Sequence, residues 1–200
     1  MAYANWVTPN KTQGSGNDTV SWTGQAHTGR KARSTTAKFA AAGCDDQVLT
    51  INQAGKAEFV DMDDAGSVAK GGGTVSISGT SNSSKLTFSL ANNNIGLTLP
   101  SKYTAGGVQT SNGVAITGDP GASQQFNFAI SFANVEANPS VTARTTQLIV
   151  TDAAGHTDTC LITQAAGEAF LTISPTTIEL TADGTAVSMS VESNTSWSIS

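Results

Sequence analysis

Nucleophilic catalysis in this chain would depend on a histidine, because a serine or cysteine nucleophile needs a neighbouring base to activate it. His27 and His156 are the only two histidines, and both fall in predicted loops. No serine stands in a Gly-x-Ser-x-Gly pattern, the sharp turn that presents the nucleophile in many hydrolases. We therefore interpret both histidines as surface loop residues and predict no catalytic residue.

Carboxylates are the other groups that could carry chemistry, and the densest run is Asp61-Met62-Asp63-Asp64, with Glu58 just before it. A glycosidase needs two carboxyl groups that flank its substrate, whereas neighbouring residues of a strand point in opposite directions. A calcium loop needs a glycine turn and a distant bidentate glutamate, and this run has neither. A solvated strand end explains it better, so we predict no metal site, no cofactor and no enzymatic activity.

Sugar binding needs an exposed aromatic ring beside hydrogen-bonding groups, and the candidates are Trp6, Tyr103 and Trp197. Trp197 stands where sandwich domains bury a core tryptophan. Trp22 shares a strand face with Val20, so we expect both tryptophans to pack in cores. Tyr103 lies in a polar, glycine-rich stretch and is predicted to be the best exposed aromatic. We therefore predict Tyr103 as a glycan contact.

Composition and charge exclude two classes of function. The formal net charge is −5 and only 12% of the residues are charged, whereas a nucleic-acid-binding surface needs a basic face to neutralise phosphates. No apolar run approaches the roughly 20 residues that cross a bilayer. Residues 1–6 lack the positive and the apolar segments of a secretory signal peptide. We expect a protein that binds neither nucleic acid nor membrane and carries no signal peptide.

A repeat organises the chain. Residues 143–151 and 160–167 are predicted to form a β-hairpin, because two β-rich runs are separated by a small-residue loop. The same pattern occurs within residues 32–55. Arg33 and Arg144 are 111 positions apart, as are Gln53 and Gln164. A gapless match over about forty positions indicates a repeated structural module.

Strands are predicted throughout, and no segment shows the helical period. In residues 125–132 apolar side chains recur at every second position, which places them on one face of an extended chain. Turn clusters between such strands predict an all-β fold of tandem immunoglobulin-like β-sandwiches. We expect three pieces: the back half of a module at 1–55, a complete module at 56–167 with an inserted loop at 101–117, and the front half of a further module at 168–200.

The two cysteines, Cys44 and Cys160, occupy positions that are not equivalent in the repeat. A disulfide framework needs cysteines in pairs. We therefore predict two separate thiols, and an intermolecular pair stays open.

Several short motifs follow one another in a fixed order: Ile173-Ser174-Pro175, Ala182-Asp183-Gly184-Thr185, Ser193-Asn194-Thr195-Ser196-Trp197, the step from Pro9 to Gly16-Asn17, and the closing Gln53-Ala54-Gly55. In this order they resemble the BACON domain, an immunoglobulin-like module named for Bacteroidetes-associated carbohydrate binding. That module occurs in gut Bacteroidota enzymes and in the crAss-like phages that infect them. The middle copy departs from the pattern, since Lys85 stands where the third copy has Trp197.

The first and the last predicted modules are incomplete. Half a sandwich exposes the inner face of a sheet and an unpaired edge, and both are liabilities in water. One interpretation is that the native protein continues after residue 200. The other is that residues 168–200 of one molecule complete residues 1–55 of the next by strand donation.

For the first module we expect completion by a partner. Tyr3, Trp6 and Trp22 cluster in a segment that lacks the first two strands of its sandwich. Large aromatic side chains dominate the energetics of protein interfaces. We therefore predict these three residues as an anchoring or oligomer interface.

The resemblance implies a non-enzymatic structural protein of a virion: the capsid-anchored base of a head fibre of a phage that infects gut Bacteroidota. It would lie on the capsid exterior after assembly in the host cytoplasm. The expected partners are capsid proteins and further copies of the chain, with a trimer implied by other fibres, and host or mucosal glycans. The alternative is a carbohydrate-binding accessory module of a secreted or cell-surface Bacteroidota protein.

Overall fold

The structure is a computed structural model that describes residues 3–200, so Met1 and Ala2, part of the start considered above, lie outside the described residues. Residues 3–200 form fifteen strands and one short 3₁₀ turn, with no α-helix among them. The predicted all-β class is confirmed. Within the same range no helix is long and apolar enough to cross a membrane.

The strands are β1 (Val7–Pro9), β2 (Trp22–Gly24), β3 (Arg33–Phe39), β4 (Gln47–Gln53), β5 (Val60–Met62), β6 (Ala65–Val68), β7 (Gly73–Ser81), β8 (Leu86–Ala91), β9 (Lys102–Ala105), β10 (Val108–Ser111), β11 (Phe126–Val135), β12 (Arg144–Asp152), β13 (Thr157–Gln164), β14 (Leu171–Ser174) and β15 (Ser190–Ser193), and the 3₁₀ turn is Pro120–Ala122. The predicted domain boundaries stay predictions. We use them to name the N-terminal unit (residues 3–55), the central unit (56–167) and the C-terminal unit (168–200).

The central unit is a two-layer sandwich. One sheet has five strands in the order β10-β9-β11-β7-β5, and the other has four in the order β6-β13-β12-β8. Neighbouring strands are antiparallel, except that β6 and β13 are parallel. The inner faces of the two sheets share one continuous apolar core, which extends from Met62 to Ile162 in the sequence.

Strand β11 shows how alternation in the sequence becomes burial. Phe126, Phe128, Ile130 and Phe132 are buried, whereas Ser131 between the last two is exposed. Successive side chains of a strand point to opposite faces, so every second residue enters the core. With β9 on one side and β7 on the other, β11 is the middle strand of its sheet.

The sequence repeat is also a structural repeat. In the β3–β4 hairpin Arg33 lies opposite Gln53, and in the β12–β13 hairpin Arg144 lies opposite Gln164. The arginine side chain donates to the glutamine Oε1 in both, at 2.8 Å from Arg33 Nε and 2.7 Å from Arg144 Nη2. Both predicted hairpins are confirmed.

The C-terminal unit repeats the beginning of the central unit. Leu171 of β14 lies opposite Ser193 of β15. In the central unit Val60 of β5 lies opposite Ser81 of β7. The pair β14–β15 is therefore the counterpart of β5–β7, just as β3–β4 is the counterpart of β12–β13.

The inner face of the N-terminal hairpin is only partly covered. Phe39 and Leu49 are 43% and 38% exposed, whereas their counterparts 111 positions later, Val150 and Cys160, are fully buried. The central hairpin lies under a five-stranded sheet, while the N-terminal unit adds only the two short strands β1 and β2. Apolar side chains of the N-terminal hairpin consequently remain in contact with water.

The inner face of the C-terminal pair is uncovered as well. Ile173 and Met189 are 45% and 40% exposed, whereas Met62 and Ile77, which are their counterparts in the register, are buried. Trp197 is exposed too, so the expectation that it packs in a core is wrong. Strands β14 and β15 form a two-stranded sheet of their own, and a core needs a second layer.

A buried asparagine joins the N-terminal unit to the central unit. Asn82 is fully buried, and its Nδ2 donates to Thr28 O at 3.2 Å and to Ala57 O at 3.1 Å. Its Oδ1 accepts a hydrogen bond from Phe59 N at 2.9 Å. One side chain thus satisfies backbone groups that precede and follow the boundary between the units.

An equivalent junction, built around Asn194, joins the central unit to the C-terminal unit. Asn194 Nδ2 donates to Pro139 O at 2.9 Å and to Glu168 O at 2.8 Å, and its Oδ1 accepts from Phe170 N at 3.0 Å. Each of these four residues stands 111 or 112 positions after its counterpart in the first junction. The units are therefore connected by a repeated, hydrogen-bonded step.

Arg30 strengthens the first junction. Its Nη1 donates to Asn82 O at 3.0 Å, and its backbone N donates to Gly121 O at 3.0 Å. The guanidinium also forms an ion pair with Asp119, and this hydrogen bond holds the pKa of the Asp119 carboxyl below its usual value. A charged, directional contact therefore adds to the backbone contacts.

Both cysteines are free thiols. Cys44 is exposed, whereas Cys160 is fully buried in the core. Burial, together with the negative charges of Asp63, Asp64 and Asp158, raises the pKa of the Cys160 thiol to about 11. The two thiols consequently differ in access and in reactivity.

We expect Asn82→Ala to lower the free energy of unfolding by about 2–3 kcal/mol, because it leaves buried backbone groups without partners. Denaturant titration followed by intrinsic fluorescence measures the change. Asn127→Ala, at an exposed position of β11, is the matched control and should change the value by no more than about 0.5 kcal/mol. Equal effects of both substitutions would contradict the role assigned to Asn82.

We expect only Cys44 to react with a thiol reagent in the native protein at about pH 8, and both cysteines to react after unfolding. The thiolate is the reactive form, and a pKa of about 11 keeps Cys160 protonated at that pH. Mass spectrometry of the alkylated protein identifies the labelled residue. Rapid native labelling of Cys160 would show that the core opens readily.

Candidate functional site

The N-terminal unit contains a cleft of about 670 Å³ between the loop after β1 and strand β3. Tyr3, Trp22 and Phe39 contribute aromatic rings to its lining, and Lys11 and Gln13 contribute polar groups. The cleft lies over the partly covered inner face of the β3–β4 hairpin. Because its aromatic lining combines with an open apolar face, it is the candidate binding site of the molecule.

Two aromatic rings hold the start of the described chain on the hairpin. The ring centroids of Tyr3 and Trp22 are 5.2 Å apart at an interplanar angle of 89°, an edge-to-face arrangement. Such a pair contributes about 1 kcal/mol beyond the area that it buries. Next to Tyr3, Ala4 N donates to Thr35 Oγ1 at 3.0 Å. The rings are half-buried and remain available to a ligand.

The polar rim of the cleft carries charges of both signs. Lys11 Nζ lies 2.6 Å from Asp18 Oδ1. This hydrogen bond, and a second one from Thr19 N, hold the pKa of the Asp18 carboxyl below its usual value. Lys38 also lines the cleft and pairs with Asp46 at 2.6 Å. A bound partner would thus meet aromatic carbon beside ammonium and carboxylate groups.

Trp6 has a different position from the other two predicted anchoring residues. The guanidinium carbon of Arg33 lies 4.4 Å from the centroid of the Trp6 ring, and Arg33 also donates to Gln53. Trp6 does not line the cleft. The structure therefore brings Tyr3 and Trp22 together, whereas Trp6 supports the end of the β3–β4 hairpin.

Tyr103 is buried, with 2% of its surface exposed, so the expectation of an exposed ring that contacts a glycan is wrong. The inserted loop folds as the β9–β10 hairpin, and the alternation of β9 directs Tyr103 and Ala105 into the core. The glycine-rich composition belongs to the turn, where Gly106 and Gly107 have positive φ angles of 56° and 83°.

The surroundings of Tyr103 are those of a core residue. Its ring packs at 61° to Phe88, with centroids 4.9 Å apart. Its hydroxyl makes no hydrogen bond of good geometry with the described residues. Burial raises the pKa of Tyr103 above its usual value, and the nearby backbone of Leu86 offsets part of this rise.

The histidines contact groups other than nucleophiles. His27 Nε2 lies 2.7 Å from the carbonyl oxygen of Lys31. His156 Nδ1 lies 2.8 Å from Asp152 Oδ2, and Asp152 Oδ1 also accepts from His156 N, so that this pair closes the β12–β13 turn. Residues 3–200 contain no group of three His, Cys, Asp or Glu side chains that could hold a metal ion.

Phe39 and Lys11 are cleft residues that the sequence analysis missed. A signal for Phe39 was present, because it stands 111 positions before Val150 in the repeat and follows the alternation of β3. No pattern singles out Lys11, whose place in the rim depends on the path of the loop after β1.

This geometry defines an all-β protein with a closed central sandwich, an incompletely covered unit on each side of it and a cleft on the N-terminal unit. Residues 1–54 match the family model described as "BACON: Putative binding domain, N-terminal". The chain therefore carries a BACON domain at residues 1–54, and the resemblance found in the sequence is confirmed there. No curated protein matches the chain. The description of this family names binding, and the match covers residues 1–54 alone.

Replacement of Tyr103 distinguishes a core residue from a ligand contact. We expect Tyr103→Phe to leave the free energy of unfolding unchanged or higher, because the buried hydroxyl has no partner. Tyr103→Ala should lower it by about 3–5 kcal/mol. Chemical denaturation measures the free energy of unfolding of each variant. Val108→Ala, at an exposed position of the same hairpin, is the matched control. A loss of more than about 1 kcal/mol in Tyr103→Phe would reveal a hydroxyl contact.

Proposed function

We propose that the protein is a non-enzymatic attachment protein that binds its partner through the cleft and the open inner face of the N-terminal unit. The observation that carries this proposal is the exposure of Phe39 and Leu49, whose counterparts in the central unit are buried. An exposed apolar face rimmed by polar groups is typical of a protein-binding surface. The match of residues 1–54 to a binding-domain family supports the same role.

In its specific form, the proposal makes the chain the capsid-anchored base of a head fibre on a phage of gut Bacteroidota. The repeated junction supports it, because each unit is fixed to the next by the same hydrogen bonds around Asn82 and Asn194. Units that contact their neighbours through a repeated interface build an extended array, as a fibre requires. The partners in this proposal are capsid proteins on the virion exterior and further copies of the chain, three in a fibre.

The contacts of the potentially reactive side chains support a non-enzymatic role. His156 is held by Asp152 and His27 by a backbone carbonyl. The one buried thiol, that of Cys160, is kept protonated by its core environment. These three side chains thus serve local backbone contacts, a turn and the core.

Capsid binding tests the proposal directly. Capsids that lack head fibres are incubated with the full chain, and co-sedimentation measures the bound fraction. We expect saturable binding by the unmodified chain and binding at least about tenfold weaker for Trp22→Ala, because aromatic anchors contribute most of the energy of an interface. Trp197→Ala, an exposed tryptophan of the C-terminal unit, is the matched control and should bind normally.

Circular dichroism first establishes that Trp22→Ala is folded. Lys11→Glu, which changes a charge on the rim of the cleft, is a second variant and should also weaken binding. No saturable binding of the unmodified chain, or equal binding by all variants, would contradict the proposal.

A second candidate function is glycan binding in the same cleft, and the observation that favours it is the aromatic lining beside hydrogen-bonding groups. A glycan array with the same variants separates the two functions. Specific glycan binding that Trp22→Ala removes and Trp197→Ala keeps, together with no binding to capsids, would favour the accessory-module alternative.

A further inference from the structure

We propose that Asn112-Gly113 in the central unit is a self-modification site, at which conversion of the Asn112 side-chain amide to a carboxylate unlocks the edge of strand β8. This pair is the only Asn-Gly sequence in the chain. Neither residue lines the cleft of the N-terminal unit, so the site is separate from the proposed binding surface.

The side chain of Asn112 takes the place of a neighbouring strand on β8. Strand β8 is an outer strand of the four-stranded sheet. Phe88 N donates to Asn112 Oδ1 at 2.7 Å, and Asn112 Nδ2 donates to Phe88 O at 3.0 Å. One amide group thus satisfies both backbone groups of Phe88, as a residue of a paired antiparallel strand would. Because an uncovered strand edge is open to pairing with other chains, this contact protects the edge of β8.

The backbone that follows Asn112 lies along the same edge. Gly113 N donates to Leu86 O at 3.0 Å. Ile116 N donates to Ser84 O at 2.8 Å, and the Ile116 side chain is buried in the core. We call residues 112–116 the edge strap, because the segment is fixed to β8 at its beginning and to the core at its end.

An asparagine that precedes a glycine can lose its side-chain amide without a catalyst. The backbone nitrogen of Gly113 attacks Cγ of Asn112, an N–Cγ bond forms, and Nδ2 leaves as ammonia, which also takes up the amide proton of Gly113. Water then cleaves one of the two C–N bonds of the cyclic imide and leaves aspartate or isoaspartate at position 112. Glycine has no Cβ to hinder this attack.

The closed strap holds both reacting groups in other contacts. The leaving group, Asn112 Nδ2, is bonded to Phe88 O, and the attacking nitrogen of Gly113 is bonded to Leu86 O. The reaction therefore needs the strap to open first. Gly113 and Val114 are exposed, and exposed segments open locally at a lower free energy than the whole domain. Modification consequently proceeds slowly, through local opening of the strap.

Conversion removes the donor that Phe88 O needs. A neutral amide donates and accepts hydrogen bonds, whereas an ionised carboxylate only accepts them. Aspartate at position 112 would place an oxygen against Phe88 O. Isoaspartate would add a carbon to the backbone and displace Gly113 from Leu86 O. Both products weaken the hold of the strap on β8, so the strand edge becomes accessible to water and to other strands.

Peptide mapping by mass spectrometry, on the full chain kept in mildly alkaline buffer, tests the site. We expect the carboxyl product at position 112 to form about ten- to a hundredfold more slowly in the native chain than in guanidinium chloride, because only the open strap reacts. Asn17, which is exposed but precedes Asp18, is the internal control and should react far more slowly in guanidinium chloride.

Two outcomes of this measurement would overturn the proposal. One is the absence of product at position 112 in the native chain after about ten half-lives of the unfolded chain, which would mean that the strap does not open enough to react. The other is an equal rate in the native and the unfolded chain, which would mean that the contacts of Asn112 give no protection.

Gly113→Asn is a control that slows the reaction and keeps the turn. The φ angle of Gly113 is 71°, a conformation that asparagine adopts more readily than most residues. A Cβ at this position would lie 3.6 Å from Thr87 Oγ1, an ordinary contact. The added side chain hinders the attack, so product formation at Asn112 should fall at least about tenfold in guanidinium chloride. An unchanged rate there would rule out the cyclic imide.

Hydrogen exchange measures the unlocking of β8. Ion-exchange chromatography separates the converted chain, which carries an additional negative charge, from the intact chain. We expect the amide of Phe88 to exchange at least about tenfold faster in the converted chain, because a buried backbone group loses a hydrogen-bond partner. Equal exchange of this amide in the two chains would refute the unlocking.

Two variants separate this effect from that of charge alone. Asn112→Asp introduces one of the two products directly and should show the same faster exchange at Phe88. Asn127→Asp places the same charge at an exposed position of β11 and should exchange like the unmodified chain. Circular dichroism verifies that both variants are folded. Faster exchange in Asn127→Asp as well would contradict a specific role of the Asn112 amide.

Discussion

The inner face of a half-apolar sheet must be covered by a second layer, and this constraint explains the differences among the three units. In the central unit two sheets cover each other, and core residues such as Ile130, Leu148 and Ile162 are excluded from water. The same strand pairs and the same registers occur at both ends of the chain without a full second layer. There, positions equivalent to core residues are exposed.

The junctions determine where these open faces lie. Asn82 and Asn194 bond to equivalent backbone groups on both sides of their junctions. One open face therefore lies in the N-terminal unit and another in the C-terminal unit, on either side of the closed central unit.

Much of the fold could be predicted from the sequence, because it depends on local patterns. Alternation in residues 125–132 predicted a strand with one buried face, and the spacing of 111 between Arg33 and Arg144 predicted equivalent hairpins. The BACON resemblance followed from short motifs and is confirmed at residues 1–54. These signals can be read from a single sequence, because the alternation of side chains along a strand and the pairing of two neighbouring strands depend on short stretches of residues.

The errors concern burial, which depends on residues far away in the chain. Tyr103 was expected to be exposed because its neighbours are polar and glycine-rich, yet strand β9 pairs with β11 and turns the ring into the core. Trp197 was expected in a core that needs a second sheet, and it is exposed. The cleft itself depends on the loop that follows β1, for which the sequence carries no periodic signal.

Hydrogen exchange of backbone amides, measured by mass spectrometry on the isolated chain, tests most directly whether closure differs between the units. We expect amides of β7, β11, β12 and β13 to exchange only on global unfolding, and those of β3–β4 and β14–β15 to exchange at least about a hundredfold faster through local opening. Equal protection of the terminal hairpins and the central strands would show that closure does not differ between the units.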